Sequence, residues 1–318
     1  KGVAGFRLFY RRMAVLMLFG FVHLMFIWSG DILMLYALMG MALPLFRHMG
    51  DKALLRWAAF FLLLPVAVDA STWLSGVSLS APAVRAQWHY CRMYGITEEN
   101  FGYWLRDADT YKEVFEFLVQ GALVRVQEFI DGNRYFKVMG LFIIGFYIGR
   151  RKMYVDLAGH KDLLRRVARF GFTAGLPLSA VYAWSATSGH PFGTAGHSVL
   201  YLTSVYPLGF AYMAGLCLLF LRSKDAGIWR WLAAPGRMAL TNYVGQSVAG
   251  MFLFYGIGMG LGAGIGLSAT ELIALGVFLL QTLASRFWLT FCQFGPLEWV
   301  WRMLNYGKTF SLFKGRKS

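Results

Sequence analysis

Cysteine, acidic residues and charged residues as a class are all scarce in this sequence. Its 318 residues include 3 Cys and 16 Asp plus Glu. Only 15% of the residues are charged, against about 25% in soluble domains. The three cysteines lie far apart, with neither a CxxC pair nor a histidine at ligand spacing, which excludes a disulfide framework and a zinc site. The low charge and a mean hydropathy of +0.51 exclude disorder and a soluble globular enzyme.

Basic residues outnumber acidic ones, and the formal net charge is +15. Nucleic-acid binding would require these charges to share one wettable face. They fall instead between long apolar runs, which is the pattern of a membrane protein. We therefore expect the lipid bilayer, and no nucleic acid, as a partner.

The apolar runs predict an all-α polytopic membrane protein with about eight transmembrane helices. A spanning helix needs about 20 mostly apolar residues, and residues 1–318 are expected to form a single transmembrane domain. The predicted spans are 13–28, 32–46, 54–73, 135–148, 170–185, 200–221, 238–257 and 270–291.

The distribution of lysine and arginine predicts which ends of the spans face the cytoplasm. If alternate loops are assigned to opposite sides, 24 of the 31 Lys and Arg fall on one side. Cytoplasmic loops carry the excess of positive charge. This predicts that both termini are cytoplasmic, including a basic tail at about 292–318. The segment 74–134 holds half of the acids and is predicted to be a small helical cap on the outer face.

Two ionisable residues at the first two spans are the candidate catalytic residues. His23 lies about ten residues into the first span, near mid-membrane at about 1.5 Å per residue, where a neutral imidazole can act as a base. The alternative is a structural histidine that hydrogen-bonds a neighbouring helix. Asp31 opens the second span, and it is either functional or a cap for the amides of that helix.

The segment Gly236–Gln246 is a candidate cofactor-binding site. Pro235 and Gly236 are expected to break the chain before a helix, whose amides attract anions together with Arg237. Asn242 and Gln246 are four residues apart and share one helical face. The alternatives are interhelical hydrogen bonding by the amides and a purely topological role for Arg237.

A third polar stretch, Gly295–Arg302, follows the last span. Its tryptophans and Arg302 are typical of an interfacial belt, and Glu298 is expected to pair with a cytoplasmic arginine. We count Arg302 among the candidate contacts of a cofactor.

Three stretches together resemble one family across essentially the whole chain. They are 20–33, Gly236–Gln246 and Gly295–Arg302, and in this order they are similar to the YeiB-like bacterial membrane proteins, domain of unknown function 418. Members of that family usually begin with about two further helices, so we expect this chain to lack them.

The resemblance implies a multi-pass protein of the bacterial inner membrane and a relation to transmembrane acyltransferases. Such enzymes take an acyl group from cytoplasmic acyl-CoA and use a membrane-embedded histidine as base, which would be His23 here. The acceptor would be an envelope glycan or lipid, and no metal is expected. A small-solute transporter with a gate at 256–266 and a non-catalytic membrane scaffold are the alternatives.

Overall fold

The computed structural model describes residues 3–315, and regular structure in this range is helical, with no β-strand. A short 3-10 turn, Leu43–Phe46, directly follows the second helix. The thirteen α-helices within 3–315 are α1 (Val3–Phe26), α2 (Leu33–Ala42), α3 (Asp51–Ser75), α4 (Ala81–Tyr94), α5 (Trp104–Asp107), α6 (Tyr111–Asp131), α7 (Arg134–Arg150), α8 (Lys161–Thr187), α9 (Gly193–Arg222), α10 (Gly227–Arg237), α11 (Ala239–Phe254), α12 (Leu267–Phe291) and α13 (Pro296–Tyr306).

Four helices of residues 3–315 are long and apolar enough to cross a membrane: α1 over Gly5–Phe26, α3, α9 and α12. On α12, Leu280 and Phe287 are 67% and 68% exposed, and exposed apolar side chains of this size on a long helix suit lipid. The chain is therefore an all-α polytopic membrane protein, as predicted.

The predicted number of eight spans is not confirmed. The remaining predicted spans lie in α2, α7, α8 and α11. Three of these helices, α2, α7 and α11, have 10, 17 and 16 residues, short of the about 20 that a straight crossing needs. Helix α8 has 27 residues, but its first turns carry a run of charged side chains.

The chain divides into two compact units. The first comprises Lys1–Met41, Ser80–Gln127 and Gly227–Ser318, and the second comprises Ala42–Leu79 and Glu128–Ala226. In the first unit α1 packs on α13, α10 packs on α12, and α11 contacts both α12 and α13. This division neither confirms nor contradicts the single transmembrane domain, which stays a prediction.

In the second unit the most extensive contact between helices is that of α8 with α9. Helix α3 packs on α7 and on α9. Only five residues connect α8 to α9, so the two helices run antiparallel. They approach closely because Gly171 and Gly175 of α8 face α9. A Cβ on Gly171 would lie 2.6 Å from the Cβ of Ala211 and would also overlap the carbonyl of Pro207.

The segment 74–134 is helical as predicted and contributes α4, α5 and α6. Helix α6 begins with a capping box, in which the Glu113 carboxylate accepts the Thr110 amide at 2.9 Å and Thr110 Oγ1 accepts the Glu113 amide at 3.4 Å. The hydrogen bond from the Thr110 amide is the main reason that the pKa of Glu113 is lowered. Buried Val114 and Leu118 of α6 pack against Tyr255. The outer location of this segment stays a prediction.

Candidate active site

The turn between α1 and α2 brings Asp31 back against α1. Its Oδ2 accepts the amide of Met34 at 2.9 Å and so caps the start of α2. Helix α1 passes close to this turn because residue 20 is glycine. A Cβ on Gly20 would lie 2.6 Å from the Met34 nitrogen and 3.0 Å from Asp31 Oδ2.

A buried histidine and carboxylate form the centre of the site. Nδ1 of His23 lies 3.1 Å from Oδ1 of Asp31, and each side chain is 1% exposed. An ionised carboxylate only accepts hydrogen bonds, so this pairing assigns the ring proton to Nδ1 and leaves Nε2 of His23 as an acceptor. Asp31 therefore both caps α2 and orients the imidazole.

The acceptor nitrogen of the imidazole points at a hydroxyl on α11. Oγ of Ser247 lies 2.8 Å from Nε2 of His23, so the hydroxyl donates and the imidazole accepts. The same Oγ is 3.4 Å from the carbonyl of Tyr243, one turn earlier in α11. Ser247, His23 and Asp31 thus form a continuous hydroxyl–imidazole–carboxylate chain.

Tyr243 closes the site above the imidazole. Its ring centroid is 4.8 Å from that of His23. Its hydroxyl accepts the amide of Ile32 at 3.2 Å and donates to Oδ1 of Asp31 at 3.4 Å. This side chain shares one face of α11 with Ser247, since the two residues are four apart.

Helix α6 supports the turn that carries Asp31. Nε of Arg125 donates to the Ser29 carbonyl at 3.0 Å. A Cβ on Gly121 would lie 2.7 Å from the Cβ of Ser29, so the helix and the turn are in close contact. The cap segment therefore takes part in positioning the carboxylate.

Ser247 borders a cavity of about 350 Å³, a volume within the usual range for small-molecule sites. Gln246 lines the same cavity. Most of the lining is apolar and includes Trp28, Leu253, Phe254, Ile273, Ala274 and Val277. The cavity fits an apolar group whose reactive end reaches the serine hydroxyl.

The position of His23 along its helix differs from the prediction. The long apolar helix starts at Gly5, eight residues before the predicted span, and His23 lies in its last turn. The mid-membrane depth of His23 stays a prediction. Helix α1 contains arginines in its first turns. A search for uncharged apolar runs leaves those turns out and therefore places the start of the span too late.

The Gly236–Gln246 segment also differs from its prediction. Pro235 and Gly236 lie within α10, and the break follows at Met238. The amides of Leu240 and Thr241 at the start of α11 donate to Oε1 of Glu298 at 2.7 and 3.0 Å. These amides are thus bonded to a carboxylate of the chain itself, and Glu298 makes these contacts where an arginine partner was expected.

The predicted cofactor contacts fall into different surroundings. Arg237 is exposed and donates to the Gln293 carbonyl at 3.3 Å, and the Arg302 guanidinium lies 4.3 Å from the ring centroid of Phe294. Asn242 donates to Ser285 of α12 at 2.9 Å, the interhelical contact expected as the alternative. Gln246 alone of these side chains lines the cavity beside Ser247. Their role as cofactor contacts stays a prediction.

Sequence reasoning missed Ser247 and Tyr243. A serine inside an apolar span carries no charge and gives no signal on its own. One sequence signal could have identified them. Tyr243 and Ser247 are four residues apart in the predicted span 238–257, which also contains two side-chain amides.

Asp69 of α3 belongs to a separate polar cluster in the second unit. Its Oδ1 accepts Asn133 Nδ2 at 2.6 Å, and its Oδ2 accepts the hydroxyl of Ser198. Nearby, Lys137 Nζ lies 3.9 Å from the ring centroid of Tyr201. This cluster links α3, α7 and α9 and is explained by interhelical hydrogen bonding.

The chain is similar to uncharacterized bacterial proteins over nearly its whole length. It is 28% identical over 315 residues to the uncharacterized protein YxaH of Bacillus subtilis (strain 168), covering 96% of this chain and 73% of the relative. It is 26% identical over 327 residues to the uncharacterized protein YeiB of Escherichia coli (strain K12), covering 92% of this chain and 74% of that protein. No solved structure matches it.

A family profile described as "Protein of unknown function (DUF418)" matches residues 148–308. The match covers half of the chain and includes Tyr243, Ser247 and Glu298. With the similarity to YeiB across nearly the whole chain, it confirms the resemblance inferred from the three sequence stretches. The chain belongs to the YeiB-like DUF418 family.

Proposed function

We propose that this protein is a transmembrane acyltransferase, which moves an acyl group such as acetyl from cytoplasmic acyl-CoA to a glycan or lipid of the cell envelope. One observation carries the proposal. The buried imidazole of His23 lies between the Asp31 carboxylate and a hydroxyl at the wall of an apolar cavity. This is the arrangement of a general base that removes a proton from an attacking hydroxyl.

The surroundings of His23 suit acyl transfer. With the proton of the neutral ring on Nδ1, Nε2 can accept a proton from a hydroxyl and return it to a leaving group. Asp31 stabilises the imidazolium that forms in between. The apolar lining of the cavity suits the hydrocarbon part of an acyl group, and burial keeps water away from a thioester.

The donor would enter from the side of Arg237. On the predicted topology this residue faces the cytoplasm, where its guanidinium and that of Arg302 are available to the phosphates of CoA. From Ala239 to Ser247, α11 rises about 12 Å, a distance that the extended arm between the phosphates and the thioester of CoA can cover. Gln246, and Asn242 one turn earlier, lie along this path.

The acceptor would meet the site from the other side. His23 lies in the last turn of α1, next to the turn that the predicted topology puts at the outer face. A glycan or lipid in the outer leaflet of the inner membrane would therefore approach the base directly. Cytoplasmic termini and an inner-membrane location are parts of this proposal.

The test is acyl transfer by the purified chain in lipid nanodiscs, with radiolabelled acetyl-CoA and an envelope extract as acceptor. We expect His23→Gln to lower the initial rate of label transfer by about 10²- to 10⁴-fold, because a positioned base contributes that much. His89→Gln is the matched control, since His89 is exposed on α4 and should leave the rate unchanged. Equal rates for wild type and His23→Gln, with both proteins folded, would contradict the proposal.

A further inference from the structure

Ser247 lies at the end of the hydroxyl–imidazole–carboxylate chain, at the position of an attacking hydroxyl. We propose that Ser247 is the nucleophile of this site and that it carries the acyl group as a covalent ester during the reaction. The inference rests on the proposed function for the identity of the acyl donor. It adds a catalytic residue and an intermediate that direct transfer between donor and acceptor does not require.

The geometry of the three side chains is that of an activated serine. The Oγ of Ser247 is 2.8 Å from Nε2 of His23, and Nδ1 of the same ring is 3.1 Å from Oδ1 of Asp31. A nucleophile within hydrogen-bond reach of a base, with the base oriented by a third group, is the general signature of nucleophilic catalysis. The same arrangement recurs on unrelated folds, so it is recognised by geometry and not by order in the chain.

The cavity distinguishes this serine from the others in the spans. Ser247 contacts both the buried imidazole and the cavity wall, so an acyl group in the cavity meets the hydroxyl before it meets the histidine. Gln246 lines the same cavity, and in this proposal its amide is the donor for the developing oxyanion.

The reaction balances with these groups alone. In the first half, Oγ of Ser247 attacks the thioester carbonyl carbon as its proton passes to Nε2 of His23. The C–S bond then breaks, and the thiolate of CoA leaves with that proton, which yields free CoA and a serine ester. In the second half, an acceptor hydroxyl attacks the ester carbonyl and gives its proton to Nε2. The bond to Ser247 breaks, and Oγ regains the proton.

A structural role for Ser247 makes a different prediction. Serine in a helix often donates to the carbonyl four residues earlier, and Oγ of Ser247 is 3.4 Å from the carbonyl of Tyr243. A serine with only that bond is no more reactive than an alcohol in water. Ser204 is such a serine, because its Oγ donates to the Leu200 carbonyl at 2.6 Å within α9.

The experiment is labelling of the purified full-length chain with an alkyl fluorophosphonate, which phosphonylates activated serines and needs neither CoA nor an acceptor. Mass spectrometry of the digested protein locates the adduct. We expect the adduct on Ser247 and an at least roughly hundredfold slower reaction in His23→Gln, because the base is lost. No adduct is expected in Ser247→Ala, and Ser204→Ala should label as wild type does.

The outcomes separate the nucleophile from the proposed function. Folded wild type without an adduct at Ser247, or with equal labelling in His23→Gln, would overturn the inference, and neither result depends on whether Ser247→Ala folds. Transfer from acetyl-CoA that persists in Ser247→Ala but fails in His23→Gln would retain the acyltransferase and reject the covalent ester. Labelling of Ser247 without any acetyl-CoA turnover would retain the nucleophile and reject the proposed donor.

Discussion

At the scale of single residues, Gly20 tests whether the contact between α1 and the Asp31 turn matters. Gly20→Ala adds one methyl group 2.6 Å from the Met34 nitrogen and 3.0 Å from Asp31 Oδ2, so the turn must move away from His23. We expect a loss of about 1–3 kcal/mol in the free energy of unfolding. Serine labelling and acyl transfer should fall as well, although every polar side chain of the site is still present.

Gly5→Ala is the matched control in the same helix. Among the residues that the structure describes, no atom outside the local helix lies within 4 Å of a Cβ at that position, and alanine favours helix over glycine. The control should keep both the thermal unfolding midpoint and the activity of wild type. If Gly20→Ala behaves like Gly5→Ala, the close approach of the turn is not needed for the site.

Two of the three residues in the hydroxyl–imidazole–carboxylate chain were predicted from the sequence. Ser247 was missed for a physical reason. His23 and Asp31 carry charge or bind protons, which is costly in an apolar span and therefore conspicuous. Burial of a serine such as Ser247 costs little free energy, because its hydroxyl can donate a hydrogen bond to a carbonyl of its own helix. Its pairing with a residue 224 positions away depends on how α1 and α11 are placed within the first unit, which no local pattern encodes.

At the scale of elements, the pairing of α8 with α9 depends on small residues. Gly171 and Gly175 are four apart on one face, a spacing that lets membrane helices approach closely. Gly171→Ala would place a Cβ against the Pro207 carbonyl and 2.6 Å from the Ala211 Cβ. We expect the free energy of unfolding to fall by about 1–3 kcal/mol. Unfolding of the purified chain in detergent measures this change.

Gly209→Ala is the control for this pair of helices. Gly209 lies on α9, and no described residue outside the local helix comes within 4 Å of the added Cβ, so the variant should be as stable as wild type. Comparable destabilisation by both alanines would show that glycine content, and not the contact between the helices, determines stability.

The helices were predictable as elements, whereas several of their ends were not. Each of the eight predicted spans overlaps a helix of residues 3–315, and five of them lie entirely within one. The start of α1 was placed too late because its first turns contain arginines, whose long side chains can extend to the membrane surface. The break after α10 was placed too early because Pro235 and Gly236 are tolerated near a helix end.

At the scale of the whole molecule, topology is the prediction on which the sides of the site depend. Cysteine substitutions at Glu99 and Lys161, both exposed, should differ in reaction with a membrane-impermeant maleimide added to intact cells. We expect labelling at position 99 and none at position 161, because the positive charge of the loops predicts an outer and a cytoplasmic location. The opposite pattern would reverse every assignment of sides.

The native cysteines determine how this experiment is controlled. Cys91 and Cys292 are buried, and Cys217 is half-buried. The substitutions therefore belong in a chain whose three native cysteines are replaced by alanine, and that parent should not label. Permeabilised cells should label at both positions, which shows that each introduced thiol is reactive.

The contact between Glu298 and the start of α11 has a consequence for synthesis. Glu298 satisfies the amides of Leu240 and Thr241, and the Leu297 amide donates to Thr241 Oγ1 at 3.0 Å. These partners lie more than forty residues after the end of the helix that bears Ser247. A growing chain thus has His23 and Asp31 long before the ribosome delivers the residues that bond the start of α11, so Ser247 is held in register only after Glu298 has been added. Under the proposed function, chains that stop before Glu298 would insert in the membrane without being able to attack thioesters.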